Sequence, residues 1–310
     1  MFKTRFAPII RRCVQSVYGR LYERSLESDL QELSKASSDL VDARKQIEIL
    51  GQQLRCVSAI STIAKTKENR PKNKSAPEGW LHDEIFILGS GGSMLDLTPH
   101  ELGRLGESTT LAMNKYLLYW NEIGIWPNYT FLADIHHPAS EVLTRKVEMV
   151  AKSGKEVPRF ILTSDYEAWP LNGLNPLFFK RPHFNGDFPW AIEKGQSMYY
   201  HRGSLTCLLN FITVHRLAPK VTLLGVDLDK GDSFFQETYD KDVSLHDSWE
   251  ALRKETGVHP TALVVDSHQP IQERLPWVFE RMAEMGVTVS VYNPGSLLAK
   301  QSLCPVRSRL

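Results

Sequence analysis

From Trp80 onward, six short apolar runs alternate with helical stretches, and few folds accept that pattern. The runs fall at 84–88, 109–113, 129–133, 159–163, 220–224 and 288–292, and the clearest helices are expected at 205–217 and 271–285. Strands that are apolar along their whole length are buried on both faces. Helices between them supply the cover, so the pattern predicts an α/β fold with a doubly wound, mostly parallel, Rossmann-like sheet. Ligands of such sheets bind beyond the carboxyl ends of the strands, at the point where strand order reverses. The chemically suggestive residues of this chain sit just after its apolar runs.

The first 80 residues are of another kind. Residues 1–22 carry Lys3, Arg5, Arg11, Arg12 and Arg20 with no acid, and Phe2, Phe6, Ile9, Ile10, Val14, Val17 and Leu21 recur among them at helical spacing. A basic amphipathic helix of this type can lie on an anionic membrane surface or pack on its own domain. Over 23–60, Leu26, Leu33, Leu40, Ile47 and Leu54 form a d column, whereas the a column reads Leu30, Ser37, Arg44 and Gly51. Only one a residue is apolar, which makes a weak seam, and homo-oligomerisation through 23–57 is the expectation. Residues 61–80 read as a linker, because 65–79 are polar, basic and interrupted by two prolines. Residues 81–310 then form the α/β domain.

Composition narrows the function classes. A net charge of +1 gives no case for a nucleic-acid binder. Cys13, Cys56, Cys207 and Cys304 lie far apart, which argues against a structural zinc site or a disulfide framework and fits a reducing compartment. No apolar run approaches the roughly 18 residues of a membrane span, and no secretory leader is evident. A cytoplasmic protein, in peripheral contact with the membrane through residues 1–22, is expected.

Gly89, Ser90, Gly91, Gly92 and Ser93 follow the first run directly. Such a strand-to-helix turn can cradle phosphate on backbone amides, or can simply join two elements. Asn114 closes the second run, where its carboxamide suits a base or ribose edge, or an Asx turn. Asp134, His136 and His137 end the third and offer an acceptor-sugar or metal contact. Gly225 and Asp227 end the fifth run. Asp227 with Asp229 has the form of an Asp-x-Asp metal motif, but that motif is common by chance, and Asp227 is expected to bind ribose or to fix the loop. His268 follows a short strand expected at 262–265 and neighbours Asp266, an arrangement that suits a general base.

Taken in order, these residues resemble the bacterial sialyltransferases of glycosyltransferase family 42 over about residues 82–300. Gly89–Ser93 is similar to that family's Gly-Asn-Gly-Pro-Ser turn, with Ser90 in place of asparagine. Met113-Asn114 resembles its Cys-Asn, and Thr163-Ser164-Asp165-Tyr166 its Cys-Ser-Asn-Tyr. Arg202, before Gly203 and Ser204, matches the arginine that opens the family's central helix, and Leu224-Gly225-Val226-Asp227 its Ser-Gly-Ile-Asp strand end. His268 matches its catalytic histidine, and Pro294-Gly295-Ser296-Leu297-Leu298-Ala299 its Pro-Asn-Ser-Leu-Leu-Ala.

The resemblance implies an inverting transferase that moves a sialic acid-like sugar from a CMP-sugar to a glycan or lipid-linked acceptor. His268 and Arg202 would be catalytic. Gly89, Ser90, Gly91, Gly92, Ser93, Asn114, Ser164, Asp165, Ser204, Gly225, Asp227 and Ser296 would hold the donor, and Asp134 and His136 the acceptor. No cofactor is required on this reading and a divalent metal is not favoured. Two departures stand out: Asp229 and Phe235 occupy the places of the family's two leaving-group tyrosines, for which Tyr239, Tyr199 or Tyr200 would have to substitute. Two alternatives follow: a metal-dependent pyrophosphokinase-like enzyme with Asp227 and Asp229 as ligands, and a non-enzymatic nucleotide-binding scaffold.

Overall fold

The computed structural model describes residues 77–133, 139–154, 156–163, 176–182, 189–229, 232–241, 255–264 and 269–308, together with residues 35, 37, 39 and 40. The chain divides into two units, Met1–Leu54 and Arg55–Leu310. In the first, the four described residues are helical and exposed. The expected basic helix of 1–22, residues 61–76 of the expected linker and most of the heptad column lie outside the described residues; residues 77–80 form a turn closed by Trp80 N–H donating to Pro77 O at 3.0 Å, with Trp80 against the core.

The second unit is α/β. Its strands are β1 (Ile85–Leu88), β2 (Thr110–Met113), β3 (Tyr129–Leu132), β4 (Arg159–Thr163), β5 (Leu177–Phe179), β6 (Lys220–Leu224) and β7 (Thr288–Val291). They form one sheet in the order β5-β4-β3-β2-β1-β6-β7, every neighbouring pair parallel. The helices are α1 (Pro99–Gly106), α2 (Trp120–Ile123), α3 (Ala139–Lys152), α4 (Ser204–Val214), α5 (Gln236–Lys241), α6 (Ile271–Glu284) and α7 (Leu297–Lys300). This is the doubly wound, Rossmann-like architecture that the apolar runs predict. Among the described residues no helix is long and apolar enough to cross a membrane.

Alternation along β1 shows why the runs are apolar throughout. Ile85 and Ile87 enter the core on one face with Leu111, Phe131, Phe211 and Leu275. Phe86 and Leu88 enter the core on the other with Tyr116, Leu132, Leu143 and Phe160. Successive side chains of a strand point to opposite faces, so a strand covered on both sides needs an apolar residue at each position. Helix α4 is itself buried at all its 11 residues. Its polar members are satisfied internally: Thr213 donates to Leu209 O at 2.8 Å, and Asn210 binds the backbone of Ala191 and Tyr199.

Three elements differ from the sequence reading. Strand β5 is not among the six expected strands; this edge strand of three residues is held by Phe179 stacking on Phe131 at 4.7 Å. Helix α4 stops at Val214 rather than 217, because His215 caps it and Arg216 turns the chain at φ +49°. The short strand expected from residue 262 is not formed over 262–264. A 3-10 turn, Pro260–Ala262, overlaps its expected start instead, begun by Pro260 and capped by the His259 imidazole, which accepts the Thr261 N–H.

Strand order decides where a ligand can enter. The chain fills the sheet outward from β1 to β5, then crosses over to lay β6 on the other side of β1. The reversal therefore falls between the carboxyl ends of β1 and β6, which are followed by Gly89–Ser93 and Gly225–Asp227. That is the crevice position of an open α/β sheet.

Candidate functional site

At the reversal point the glycine turn and the end of β6 are packed backbone against backbone. Gly89 N–H donates to Leu224 O at 2.8 Å, Gly91 N–H to Gly225 O at 2.7 Å and Gly92 N–H to Asp232 O at 3.2 Å. Gly91 and Ser233 form an antiparallel bridge, and Phe234 N–H donates to Ser90 O at 2.9 Å. A Cβ at position 89 would stand 2.3 Å from Gly225 O, and one at position 91 would stand 2.4 Å from Asp227 Oδ2. Glycine is needed at these two positions for the chain to approach itself. The amides of Gly89, Gly91, Gly92 and Ser93 are engaged within the chain.

Asp227 is the centre of this arrangement. It is 3 % exposed and accepts three hydrogen bonds: from Ser93 N–H at 3.0 Å, from the Ser93 hydroxyl at 2.6 Å and from Asn293 Nδ2 at 2.9 Å. Its carbonyl accepts from the amides of Asp229 and Leu297. Three of the roughly four acceptor sites of the carboxylate are thus taken by Ser93 and Asn293, and the side chain holds the loop. Leu228, next in the chain, takes φ +62°, a costly angle for a residue with a Cβ. Asp229 then forms an ion pair with Lys300 on α7 through one oxygen, while its other oxygen is buried without a partner. The Asp-x-Asp pair is thus one aspartate bound by neutral donors and one bound by an ammonium. Among the described residues no group of three metal-ligating side chains converges.

Asn114, at φ +43°, turns the chain at the end of β2. Its amide nitrogen donates to Ser204 Oγ at 2.8 Å, and its carbonyl oxygen accepts from Ala133 N–H at 3.0 Å. The side chain thereby ties the ends of β2 and β3 to the start of α4. Ser296 is fully buried and caps α7, accepting from Ala299 N–H and donating to Asn293 O. Both residues hold elements together at the carboxyl end of the sheet.

Arg202 is 8 % exposed and adopts φ +55°. Its Nη2 donates to Pro260 O at 3.0 Å and to Leu263 O at 2.8 Å. His201, just before it, donates from Nε2 to Gln269 O at 3.1 Å. Gly203 lies against the same segment, where a Cβ would stand 3.1 Å from Thr261 Cγ2. Sequence reasoning missed His201 and Asn293. The only signals were their positions, one beside Arg202 and the other between β7 and Pro294.

Of the three tyrosines, Tyr199 and Tyr239 are core residues. Phe235 stacks on Tyr119 at 4.1 Å. Tyr239 is fully buried and its hydroxyl accepts from Lys115 Nζ at 2.9 Å. Tyr199 is buried beside Trp190 and Trp277, and half-buried Tyr200 lies under the Arg181 guanidinium. Gly89 to Ser93, Asn114, Arg202, Ser204, Gly225, Asp227 and Ser296 are all brought to the carboxyl side of the sheet. Asp134, His136, Ser164, Asp165, Asp266 and His268 lie outside the described residues.

No family model matches this chain, and no curated protein does. A solved structure that it resembles is the MAf glycosyltransferase from Magnetospirillum magneticum AMB-1, at 13 % identity and a TM-score of 0.39. The match covers 77 % of this chain and 36 % of that one. Likeness at this level carries no argument about activity.

Proposed function

We propose that this chain is an inverting glycosyltransferase that takes an acidic, sialic acid-like sugar from a CMP-sugar and passes it to a hydroxyl of a glycan or lipid-linked acceptor. One observation carries the reading. The residues matched in order to the sialyltransferase pattern, from Gly89 through Asn114, Arg202 and Asp227 to Ser296, gather at one end of a Rossmann-like parallel sheet, around its reversal point. A shared end of the sheet is what a nucleotide site requires.

In this reaction the His268 imidazole takes the proton of the acceptor hydroxyl as its oxygen bonds to the anomeric carbon. The bond from that carbon to the CMP phosphate oxygen breaks, and CMP leaves with the electron pair. Asp229 would repel a departing phosphate, and the Lys300 ammonium against it supplies the neutralising cation. Residues 1–22 would bring the enzyme to a membrane surface bearing the acceptor.

Replacing His268 with alanine is expected to abolish transfer while CMP binding stays measurable by thermal shift. Full transfer by that variant at saturating donor would sink the proposed role. The metal-dependent alternative has less support, because Asp227 already accepts three hydrogen bonds and Asp229 is paired with Lys300. Stabilisation of the protein by CMP in the presence of chelator is the expected result, and stabilisation by nucleotide only with divalent metal would favour the alternative.

A further inference from the structure

Strand β7 is left and rejoined at the same residue. After Val291 the chain passes the carboxyl end of β6, turns through Asn293 and α7, and returns to the free side of β7 at Pro305–Arg307. Val291 N–H donates to Pro305 O at 3.0 Å, Arg307 N–H donates to Val291 O at 2.8 Å, and Val291 and Val306 form a parallel bridge. Residues 292–304 are thereby closed at the base in the manner of an Ω loop. Two side chains of this loop reach the candidate site: Asn293 donates to Asp227 and Lys300 pairs with Asp229. The Leu297 amide adds a bond to Asp227 O at 2.9 Å.

A side chain fastens the return. Arg307 Nη1 forms an ion pair with Glu84 and donates to Thr222 Oγ1 at 3.1 Å, and its guanidinium lies 5.1 Å from the centre of the Phe86 ring. Thr222 donates to Glu84 Oε1 at 2.8 Å and lies 3.1 Å from Ser290 Oγ. Phe86, Thr222 and Ser290 are register partners across β1, β6 and β7. A fully buried threonine beside a serine in a sheet of apolar strands is accounted for by the guanidinium laid across that row. The two charged side chains are only 28 % and 21 % exposed, so water screens their attraction less than on an open surface.

We propose that Pro305–Arg307 is a strap, fastened on Glu84, that holds the 292–304 loop and so keeps Asn293 on Asp227 and Lys300 on Asp229. Arg307 and Glu84 are then positioning residues, a role in catalysis that rests on the transferase reading above. The contacts that fasten them lie at the amino half of β1 and the middle of β6, away from Gly89–Ser93 and Gly225–Asp227. Release of the strap loosens both loop side chains together. Asp229 then meets the departing phosphate without its ammonium and repels it, and Asp227 loses one of its three donors. A misplacement of about 1 Å at a reacting centre costs on the order of 100-fold in rate, so a change at Arg307 is felt well beyond its own contacts.

The test compares Arg307→Met, Glu84→Gln, Lys300→Met and the double variant Arg307→Met with Lys300→Met in the full chain. Methionine keeps an apolar stem over Phe86, and glutamine keeps an acceptor for Thr222. Transfer kinetics, CMP binding and backbone amide exchange are measured on each. In Arg307→Met and Glu84→Gln, exchange should be faster over 292–304 and unchanged over β2 and β3, with kcat lower by about 10- to 100-fold. The double variant should lose less than the product of the two single losses, because Arg307 acts through Lys300. Arg307→Lys should recover part of the rate, since an ammonium can still pair with Glu84. Faster exchange over the whole unit, or single losses that multiply, would reduce Arg307 to a stability residue and overturn the proposal. Faster exchange over 292–304 with unchanged kcat and CMP binding would overturn the link to the site, and unchanged exchange would overturn the strap itself. If His268→Ala keeps full activity, the transferase reading fails by itself, and loop exchange with CMP binding still decides the strap. If Arg307→Met does not fold, Glu84→Gln carries the comparison through its kcat and exchange.

Discussion

Two glycines of the β1 turn illustrate how little space separates a tolerated residue from a damaging one. At Gly91 an added methyl would overlap the Asp227 carboxylate, and at Gly89 it would overlap the Gly225 carbonyl, which is backbone and cannot rotate away. Gly89→Ala is therefore expected to cost about 1–3 kcal/mol through overpacking, with Gly91→Ala at the upper end because it also pushes on the hydrogen bonds from Ser93 and Asn293. Gly103 inside α1 is the control: a Cβ there meets nothing within 4 Å, and alanine should stabilise the protein by about 0.5–1 kcal/mol. Urea midpoints of the three variants give the comparison. The same crowding explains why the turn looked like a ligand cradle in the sequence: glycine is required for close approach, and a sequence does not say whether the approaching group is a phosphate or another strand. Arg202 was legible as a special residue, but its hydrogen bonds to Pro260 and Leu263 were not, because those carbonyls lie 58 and 61 residues away in the chain.

Helix α4 is the element on which the site is built, and its stability depends on polar groups inside an apolar environment. Asn210 is fully buried. It accepts from the amides of Ala191 and Tyr199 and donates to Ala191 O, so it fixes the loop that leads into His201 and Arg202. Asn210→Leu keeps the branched shape but strands three backbone groups, and a loss of about 3 kcal/mol or more is expected in denaturant unfolding. The end of the same helix carries a pH-dependent term. His215 stacks on Phe211 at 3.9 Å, and burial, followed by the charges of Lys194 and Arg159, lowers its pKa from 6.5 to about 4. Between those values the unfolded chain binds the extra proton, so this contribution is whole above pH 6.5 and drains away as pH falls toward 4. Unfolding midpoints at pH 7 and pH 5 should differ less in His215→Phe than in the unaltered protein. Elements buried on both faces were the legible ones: β4 and β6 match the expected bounds, and β1, β2, β3 and β7 differ by one residue at an end. What failed was marginal or tertiary in origin. Strand β5 has three residues at an edge, and the 3-10 turn at Pro260–Ala262 is capped by the His259 side chain rather than by periodicity.

At the scale of the whole molecule, a Rossmann-like unit follows a stretch whose apolar pattern is too thin to fold alone. Leucine or isoleucine occupies every d position from Leu26 to Leu54, whereas Ser37, Arg44 and Gly51 occupy three of the four a positions. Leu40, in that d column, is helical and 70 % exposed. An exposed leucine in register with four others gains by meeting a second copy, at about 1.5–3 kcal/mol for each side chain fully covered. Polar a residues limit the total, so self-association should be concentration-dependent rather than permanent. Replacing Leu33, Leu40 and Ile47 together with aspartate is expected to leave the α/β unit folded and to shift sedimentation to the monomer. The unaltered chain should show larger species that dissociate on dilution. Sedimentation that is identical before and after the substitution, at concentrations where the unaltered chain is oligomeric, would move the contact to the α/β unit. A monomer at every concentration would remove the seam as an oligomerisation device.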